Sequence, residues 1–388
     1  MASRVVVVGG GVIGAACTYF LTAAGAEVTL VEAQVVGGGT SSRCDGNVLA
    51  IDKSPGFDSQ LGLRSQKLLA ELAHVLGDFE YRSPGSYLVC DNDDEVEPAH
   101  TWTEALRESG LPVEFLEREE VHRRLPDLAA DVPAGLYCAS DATLNPLLYV
   151  QGLVAWARER GASVRDRSPV AALDASDGRV RGVVLASGEH LAADATVVAA
   201  GIATPALVAP LGIELPIRPR KGHLIVSARG RRFGDAKVME FGYLMSKFGL
   251  ERRVPPDVER YGVALVYEPT RAGNFLLGSS REFVGEDTES DPEVVRTIAR
   301  RALRFYPGMR AATVVRTYAG LRPWTPDHLP VVSAAEGVPG LFVAAGHEGD
   351  GISLAAVTGE IVRDLVLGRE TALDVAPLRL GRFGLGAA

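Results

Sequence analysis

Residues 4–32 read RVVVVGGGVIGAACTYFLTAAGAEVTLVE, and this stretch decides the fold of the N-terminal part of the chain. The continuous β-branched run over 4–8 predicts a parallel strand that is covered on both faces. Three glycines then turn the chain into a predicted helix over 12–24, and Gly25 is placed to end that helix. A second strand is predicted over 27–32. Strand, helix and strand in this order form a βαβ unit.

The glycines of this unit are spaced as in a dinucleotide-binding turn. Gly9, Gly11 and Gly14 form the pattern G-x-G-x-x-G, with Val12 and Ile13 between the last two glycines. Gly9 permits the tight turn, Gly11 lets a pyrophosphate approach the helix N-terminus, and Gly14 lets helix and strand pack closely.

An acidic residue follows at the expected distance. Glu32 lies 23 residues after Gly9, at the end of the second predicted strand, with Ala33 next to it. In this position a carboxylate accepts hydrogen bonds from an adenosine ribose. The alternative is a glycine-rich turn without a ligand, which does not explain why strand, helix and acid occur together. We therefore expect a bound dinucleotide cofactor.

The rest of the chain favours FAD over NAD as that cofactor. The chain has one such fingerprint, and the second strand runs into a Gly/Ser-rich loop over 34–50 instead of another regular helix. A strand at 340–346 and a helix at 351–367 are predicted to complete the nucleotide-binding domain. A domain interrupted in this way suits an extended FAD lying across it. An NAD-only dehydrogenase is the alternative for the cofactor.

Composition and charge exclude other classes of protein. The 388 residues carry 40 Lys and Arg against 49 Asp and Glu, a formal net charge of −9, which argues against a nucleic-acid partner. The four cysteines lack metal-type spacing, so we expect no metal and a reducing, cytoplasmic location. The N-terminal apolar run is broken by glycines, and we predict neither a signal peptide nor a transmembrane segment.

The predicted fold class is α/β plus antiparallel β, with two domains. Short alternating runs with many turns indicate a strand-rich section over 214–320, interrupted by one helix at 291–305. We therefore expect a discontinuous Rossmann-type FAD-binding domain and a substrate domain built on a mixed or antiparallel sheet. The predicted limits are 1–80, 145–213 and 321–388 for the FAD-binding domain, and 81–144 and 214–320 for the substrate-binding domain.

Seven segments together resemble the D-amino-acid oxidase superfamily of flavoproteins, in its glycine oxidase and sarcosine oxidase branch. Within that branch the likeness is to flavin subunits of multi-subunit amine dehydrogenases: opine oxidase, hydrogen cyanide synthase and D-hydroxyproline dehydrogenase. The segments are VVVVGGGVIGAACTYFLTAAGAEVTLVE, GGTSSRCDGN, ATVVAAGIAT, PRKGHLIV, NFLLGSSREF, AGLRPWTPDHLPVV and LFVAAGHEGDGISLAAVTGEIV.

The resemblance implies further cofactor contacts along the chain. One loop is expected to run from the ribose toward the isoalloxazine ring, one turn to lie under that ring, one strand residue to contact the adenine, and one turn to approach the adenosine half. In that order these are Thr40, Ser41, Ser42 and Arg43; Gly46 and Asn47; Val170; and Ala200 and Gly201.

A second glycine-rich turn, GHEGDGI at 346–352, precedes the last predicted helix. Aimed at the pyrimidine edge of a flavin, its backbone donors and the helix dipole stabilise the negative charge that builds there on reduction. An ordinary capped helix is the alternative. Glycine oxidase carries an arginine within this turn where Glu348-Gly349 stand here, which argues against plain glycine as substrate. The candidate cofactor residues are Gly346, Glu348, Gly349, Asp350, Gly351 and Ile352.

Three side chains are candidates for the catalytic site. The resemblance implies that Arg322, in the segment GLRP, clamps the substrate carboxylate beside the cofactor; a structural salt bridge is the alternative. Tyr267 falls where relatives place a tyrosine near the substrate, although a core role is equally consistent. His347 adjoins the flavin turn, where it contacts the ring or packs behind it. In some relatives the flavin is attached through a cysteine near the C-terminus, whereas Cys44 and the other cysteines here all precede residue 139, so the resemblance implies non-covalent FAD.

The implied reaction is oxidation of the C–N bond of an amino or imino acid. Hydride passes from the α-carbon to flavin N5, and the imine product hydrolyses. A secondary amine carrying a carboxylate is preferred, such as an N-carboxyalkyl amino acid, sarcosine or a proline-type acid, and the primary amine glycine belongs to the same substrate class. Oxygen or a partner redox subunit accepts the electrons, and a homo- or hetero-oligomer is consistent with both. An FAD monooxygenase and a non-catalytic flavoprotein are the alternatives.

Overall fold

The computed structural model of the chain describes residues 3–383. The ends of the first predicted domain, residues 1–2 and 384–388, lie outside the described residues. Helices α1 to α10 are Val12–Ala23, Phe57–Leu72, Val96–Glu108, Arg118–Arg124, Pro146–Glu159, Thr204–Val208, Gly242–Lys247, Pro256–Arg260, Pro292–Phe305 and Gly351–Leu367. Strands β1 to β19 are Arg4–Val8, Glu27–Val31, Asn47–Val48, Ser86–Val89, Val113–Glu117, Ala134–Cys138, Ala142–Thr143, Ser163–Arg165, Val170–Ser176, Arg179–Leu185, His190–Ala192, Ala195–Val198, Arg218–Ser227, Lys237–Glu240, Val266–Pro269, Phe275–Gly278, Val314–Trp324, Val331–Ala334 and Leu341–Ala345.

The nucleotide-binding domain is built on a six-stranded sheet in the order β18-β19-β12-β1-β2-β8. Strand β1 lies in the middle and runs parallel to β12 and β2, and β19 and β8 continue the parallel arrangement on either side. Only β18 runs antiparallel to its neighbour. The Rossmann-type α/β prediction is confirmed, and the C-terminal strand and helix complete this domain.

Residues 5–8 of β1 are continuously apolar because their valines pack on both faces of the sheet. Val5 and Val7 pack into a core with α1, α2, α5 and α10 on one face of the sheet. Val6 and Val8 pack on the opposite face against the three-stranded sheet β11-β10-β9. Because successive side chains of a strand point to opposite faces, a strand covered on both sides has no polar position.

The second domain contains an eight-stranded sheet in the order β17-β13-β16-β15-β14-β4-β6-β5. Strands β14 and β4 are parallel, whereas the other neighbours run antiparallel, so the predicted mixed sheet is confirmed. Strand β17 continues in this sheet to Trp324, beyond the predicted domain limit at 320/321. Arg322 therefore stands on the second sheet and not on the nucleotide-binding one.

A buried ion cluster ties helix α9 to this second sheet. Arg301 of α9 pairs with Glu240 at the end of β14 and with Asp91, 2.8 Å away. All three residues are buried. Charges removed from water in this way need one another, because a single one left without its partner is strongly destabilising.

None of the helices within residues 3–383 combines the length and the apolar character needed to cross a membrane.

Candidate active site

A cavity of about 540 Å³ opens at the carboxyl ends of the parallel strands β1, β2, β12 and β19. Ligands of open α/β sheets bind at this edge. The structure brings most of the predicted cofactor residues to this one cavity. They are Gly9, Gly11, Val12, Ile13, Glu32, Ala33, Thr40, Ser41, Arg43, Val170, Ala200, Gly201, Gly346, Glu348 and Gly351, together with His347.

The first glycine turn is shaped by close approaches of backbone to backbone. Gly9 has a φ of +105°, and a Cβ there would lie 2.5 Å from the carbonyl oxygen of Ala199. A Cβ on Gly14 would lie 1.8 Å from the carbonyl oxygen of Gly9. Helix α1 therefore begins directly against the cavity, and the hydroxyl of Ser41 accepts a 2.9 Å hydrogen bond from the backbone N–H of Val12. The positive end of the helix dipole is presented to a bound anion.

The end of the cavity where the adenosine is predicted to bind lies at the ends of β2 and β8. The Glu32 carboxylate accepts hydrogen bonds from the N–H groups of Gly10, at 2.6 Å, and Gln34, at 2.8 Å. Ser168 and Val170 line the cavity nearby. The cavity combines a carboxylate acceptor, a helix N-terminus and glycines at which an added Cβ would clash with the backbone. They occur in the order that an adenine dinucleotide needs, so these residues fit FAD.

A smaller cavity of about 60 Å³ adjoins the first and shares Thr40, Ser41, Arg43 and Glu348 with it. Gly349, Ile352 and Arg322 are the predicted residues that line only this second space. It lies between the glycine-rich turn before α10 and the paired strands β13 and β17. The two cavities together place the guanidinium of Arg322 beside the cavity in which the flavin is expected.

Arg322 is held in this smaller cavity by its neighbours. Its guanidinium lies over Gly222, where an added Cβ would overlap it, and it donates a 2.8 Å hydrogen bond from Nη1 to the carbonyl oxygen of Ser280. Burial, together with the positive charge of Arg281, lowers the pKa of Arg322. Within residues 3–383, no carboxylate pairs with this guanidinium. The guanidinium of Arg322 is therefore not neutralised by a structural salt bridge, and it is open to a carboxylate ligand.

In the glycine-rich turn before α10, the side chains of His347 and Glu348 contact different neighbours. His347 is buried against Thr358, with 2.9 Å between Nε2 and Oγ1, and burial lowers the pKa of His347 to about 3, so its ring is neutral. Glu348 has a φ of +49°; its carboxylate pairs with Arg220 and lies 2.8 Å from Nδ1 of His328.

Asp350 does not line either cavity. Its carboxylate lies 2.6 Å from the buried ammonium of Lys53 and 3.4 Å from that of Lys247. Despite burial, these two positive charges hold the pKa of Asp350 well below its usual range. The side chain anchors the start of α10, and it is Gly346, His347, Glu348 and Gly351 of this turn that line the larger cavity.

Tyr267, predicted as a candidate for the catalytic site, lies instead in the core of the second domain. Its ring is buried among Phe233, Phe275 and Tyr306, and its hydroxyl bonds to the backbone of Phe233 and Gly234. It lines neither cavity. Successive residues of a strand point to opposite faces, and the next residue, not Tyr267, faces the nucleotide-binding domain.

That next residue, Glu268, accepts a 2.9 Å hydrogen bond from the N–H of Gly46 and lies 3.4 Å from the ammonium of Lys237. Burial raises the pKa of Glu268. Gly46 thus contacts the second domain, and Asn47 pairs with Thr143 between β3 and β7. Neither residue lines the two cavities.

Two more residues lie apart from their predicted surroundings. Ser42 lines neither cavity, because its hydroxyl donates to the carbonyl oxygens of Gly38 and Gly39. Cys44 lines the smaller cavity, and burial strongly raises the pKa of its thiol, so the sulfur remains protonated and is a poor nucleophile. Within residues 3–383, no group of acidic, histidine or cysteine side chains is arranged to hold a metal ion.

The structure also brings residues close to Arg322 that were not predicted from the sequence to belong to the site. Arg220 is the register partner of Arg322, Arg281 follows Ser280, which accepts the hydrogen bond from Arg322, and Arg281 lies over the ring of Tyr243. Arg220 and Arg281 stand in PRKGHLIV and NFLLGSSREF, two segments that carried the family resemblance. An arginine just before or after an apolar strand was the available signal, but nothing in the sequence showed that both strands end at one place.

The fold and the two cavities define a flavin-dependent oxidoreductase of the two-domain type. The model of the family described as FAD dependent oxidoreductase (DAO) matches residues 4–365. The chain belongs to this family, and the predictions of FAD and of oxidoreductase activity are confirmed.

Known proteins are similar to this chain over nearly its whole length. A glycine oxidase from Pseudomonas putida is 31% identical, with 99% of this chain and 100% of that protein covered. A D-amino acid dehydrogenase from Cereibacter sphaeroides is 28% identical over 98% of this chain and 95% of its own. The crystal structure of glycine oxidase from Geobacillus kaustophilus has a TM-score of 0.86 at 26% identity, covering 98% of this chain and 99% of that one. The narrower likeness to amine dehydrogenase subunits stays a prediction.

Proposed function

We propose that this protein oxidises the C–N bond of an α-amino or α-imino acid, preferably a secondary amine that carries a carboxylate. The observation that carries the proposal is the unpaired guanidinium of Arg322 in the small cavity that adjoins the cofactor cavity. A planar guanidinium binds a carboxylate through two parallel hydrogen bonds. The glycine oxidase and D-amino acid dehydrogenase relatives are both enzymes of amino acids by name, which supports the same substrate class.

FAD supplies the two-electron oxidant for this reaction. The α-carbon loses a proton and two electrons, the nitrogen loses a proton, and a C=N bond forms. Water then adds to this bond and releases a carbonyl compound and an amine. Oxygen or a partner redox subunit takes the two electrons at the end of the cycle.

The residues of the chain bind and orient the substrate. Arg322 fixes the carboxylate and so directs the α-carbon toward the cofactor cavity, which replaces a bimolecular encounter by a positioned one. The N-terminus of α10, beginning at Gly351, presents its positive end to the same place and favours negative charge there. His347 is neutral and hydrogen-bonded to Thr358, which is consistent with a positioning role behind the turn.

A reducing compartment, the cytoplasm, remains our prediction for location. The support is that Cys17, Cys44, Cys90 and Cys138 are all free thiols.

An anaerobic absorbance spectrum tests the proposal. Purified holoprotein is mixed with sarcosine, D- and L-proline, hydroxyproline and N-carboxymethyl amino acids, and the flavin bands are followed before and after air is admitted. We expect bleaching by at least one amino acid. Recovery in air with peroxide indicates an oxidase, and bleaching without recovery indicates a dehydrogenase that needs a partner. Folded, flavin-containing protein that no amino acid reduces, or that consumes NADPH instead, would overturn the proposal.

A further inference from the structure

The loop just before β3 lies along one face of β17. Tyr318, Gly320 and Arg322 alternate along this strand and therefore share that face. The hydroxyl of Tyr318 donates a 3.3 Å hydrogen bond to the carbonyl oxygen of Cys44. A Cβ added to Gly320 would lie 2.6 Å from the carbonyl oxygen of Arg43. The loop is thus held against the face from which the side chain of Arg322 projects.

Asp45, the next residue of this loop, brings a carboxylate to the smaller cavity. Asp45 and Arg322 both line this space, which has a volume of about 60 Å³. A space of this size holds only a few small groups, so a ligand bound in it lies within reach of both side chains. Two opposite charges, one from each domain, therefore face the same small space.

Asp45 is also one of two carboxylates that share a single buried ammonium group. The Nζ atom of Lys237 lies 3.1 Å from Oδ2 of Asp45 and 3.4 Å from Oε2 of Glu268. Glu268 accepts the N–H of Gly46 as well, and it lines neither cavity. The Oδ1 atom of Asp45 accepts no hydrogen bond within residues 3–383, and 16% of this side chain is exposed, against 0% of the Lys237 side chain. The group has one more carboxylate than ammonium, and Asp45 is the member of it that faces the cavity.

The charges that face the cavity are the reverse of those of an amino acid. Within residues 3–383, no carboxylate pairs with Arg322, so its positive charge is available to a carboxylate ligand. Asp45 offers a carboxylate oxygen to an N–H group of the same ligand. We propose that Asp45 binds the nitrogen of the substrate by accepting a hydrogen bond, while Arg322 binds the carboxylate. This inference rests on the proposed function and adds a second substrate-binding residue to it.

A carboxylate beside the nitrogen suits the charge that the nitrogen acquires during oxidation. The bound ammonium first gives up one proton to solvent, and the neutral amine then loses hydride from its α-carbon to the cofactor. The nitrogen becomes part of a C=N bond, carries one positive charge and retains an N–H group. A carboxylate that is already held in place by Lys237 stabilises this charge as it develops. Asp45 therefore acts on the reacting atoms as well as on binding.

The first test compares two ligands that differ only at the position of the nitrogen. Pyrrole-2-carboxylate presents an N–H group beside its carboxylate, whereas 2-furoate has an oxygen atom in the same place, and neither is an amine substrate. Each is titrated into wild-type holoprotein, and the change in the flavin spectrum gives its dissociation constant. We expect pyrrole-2-carboxylate to bind at least about 10-fold more tightly, because only this ligand forms a hydrogen bond to the charged acceptor. Equal affinities, or binding of neither ligand, overturn the inference.

The second test measures the same preference in Asp45→Asn, which keeps the shape of the side chain and replaces one carboxylate oxygen by an N–H donor. We expect the two ligands to bind this variant with affinities within about threefold of each other, because the amide can also donate to the furan oxygen. Glu268→Gln is the matched control, since it removes the other carboxylate partner of Lys237 at a position that lines neither cavity. Glu268→Gln should keep the wild-type preference for pyrrole-2-carboxylate.

The outcomes separate this inference from the proposed function. A preference that persists in Asp45→Asn, or that is lost equally in Glu268→Gln, overturns the role of Asp45 and leaves an amino-acid oxidoreductase. A changed flavin reduction potential in Asp45→Asn, with an unchanged preference, assigns the carboxylate to the cofactor and likewise overturns it. Failure of all amino acids to reduce the flavin refutes the proposed function itself, whatever the ligand preference. The ligand comparison on wild-type protein decides the matter if Asp45→Asn does not fold.

Discussion

Replacing Gly14 by alanine probes the packing on which cofactor binding depends. In an ordinary helix this change is favourable by about 1 kcal/mol, because alanine is the better helix former. Here the added Cβ would lie 1.8 Å from the carbonyl oxygen of Gly9, whereas real Cβ atoms keep at least 3.0 Å. Helix α1 must therefore move away from the glycine turn by at least 3.0 − 1.8 = 1.2 Å.

A displacement of this size breaks the alignment of the first turn of α1 with a phosphate. A hydrogen bond of 2.9 Å, as between Val12 and Ser41, does not survive a shift of 1.2 Å along its direction. Losing one hydrogen bond to a charged group costs about 1.5–3 kcal/mol, which corresponds to a roughly 10- to 150-fold weaker binding of FAD.

The assay is titration of the apoprotein with FAD, followed by the quenching of FAD fluorescence, with urea unfolding as a measure of stability. Gly77→Ala is the matched control, because no described atom lies within 4 Å of the position of its added Cβ. We expect that control to bind FAD like the wild type. A dissociation constant for Gly14→Ala within threefold of the wild-type value, at unchanged stability, would refute the reasoning.

Three other predictions concern charged and titratable side chains. Arg322→Met should lower kcat/KM for amino acids about 100-fold or more while FAD remains bound, as measured by steady-state kinetics and the flavin spectrum; unchanged kinetics would contradict its role. Arg301→Met should lower the free energy of unfolding by about 1.5–3 kcal/mol, since two buried carboxylates each lose one arginine partner and keep the other, Arg252 for Glu240 and Arg304 for Asp91. The exposed pair of Arg300 serves as control, and Arg300→Met should cost about 1 kcal/mol or less in the same urea experiment. The pKa of His347 is lowered to about 3 in the folded protein and lies near 6.5 in the unfolded chain, so the unfolded state binds the proton first and stability falls as the pH drops below about 6.5. Between pH 7 and pH 5 this group removes about 2 kcal/mol, and His347→Gln should flatten the pH dependence by that amount; an equally steep profile in the variant would show that the proton is taken up elsewhere.

Short-range patterns in the sequence predicted local structure closely. The helix predicted over 12–24 is Val12–Ala23, the one at 291–305 is Pro292–Phe305, and the last one, over 351–367, is Gly351–Leu367. Gly25, which was placed to end the first helix, has a positive φ of +87°. Caps, turns and apolar periodicity depend on neighbours within a few residues, so the chain states them directly.

The nucleotide-binding end of the molecule could be predicted from the sequence for the same reason. The glycine fingerprint and the acid that follows it lie within 29 consecutive residues, and the βαβ unit brings its own parts together. A dinucleotide cofactor could therefore be inferred before any tertiary contact was known, whereas the choice of FAD, the family and the class of enzyme came from segments along the whole chain.

Apart from Arg322, to which the family resemblance pointed, the substrate side was decided by tertiary structure. Tyr267 and Glu268 are adjacent in sequence, yet only the pairing of β15 within its sheet determines that Tyr267 enters the core and Glu268 meets Gly46. Arg220 and Arg322 come from strands far apart in the chain. Their meeting depends on the register of β13 against β17, and a shift of one residue would turn one side chain to the other face. Long-range register is a property of the folded sheet, and the local sequence contains no record of it.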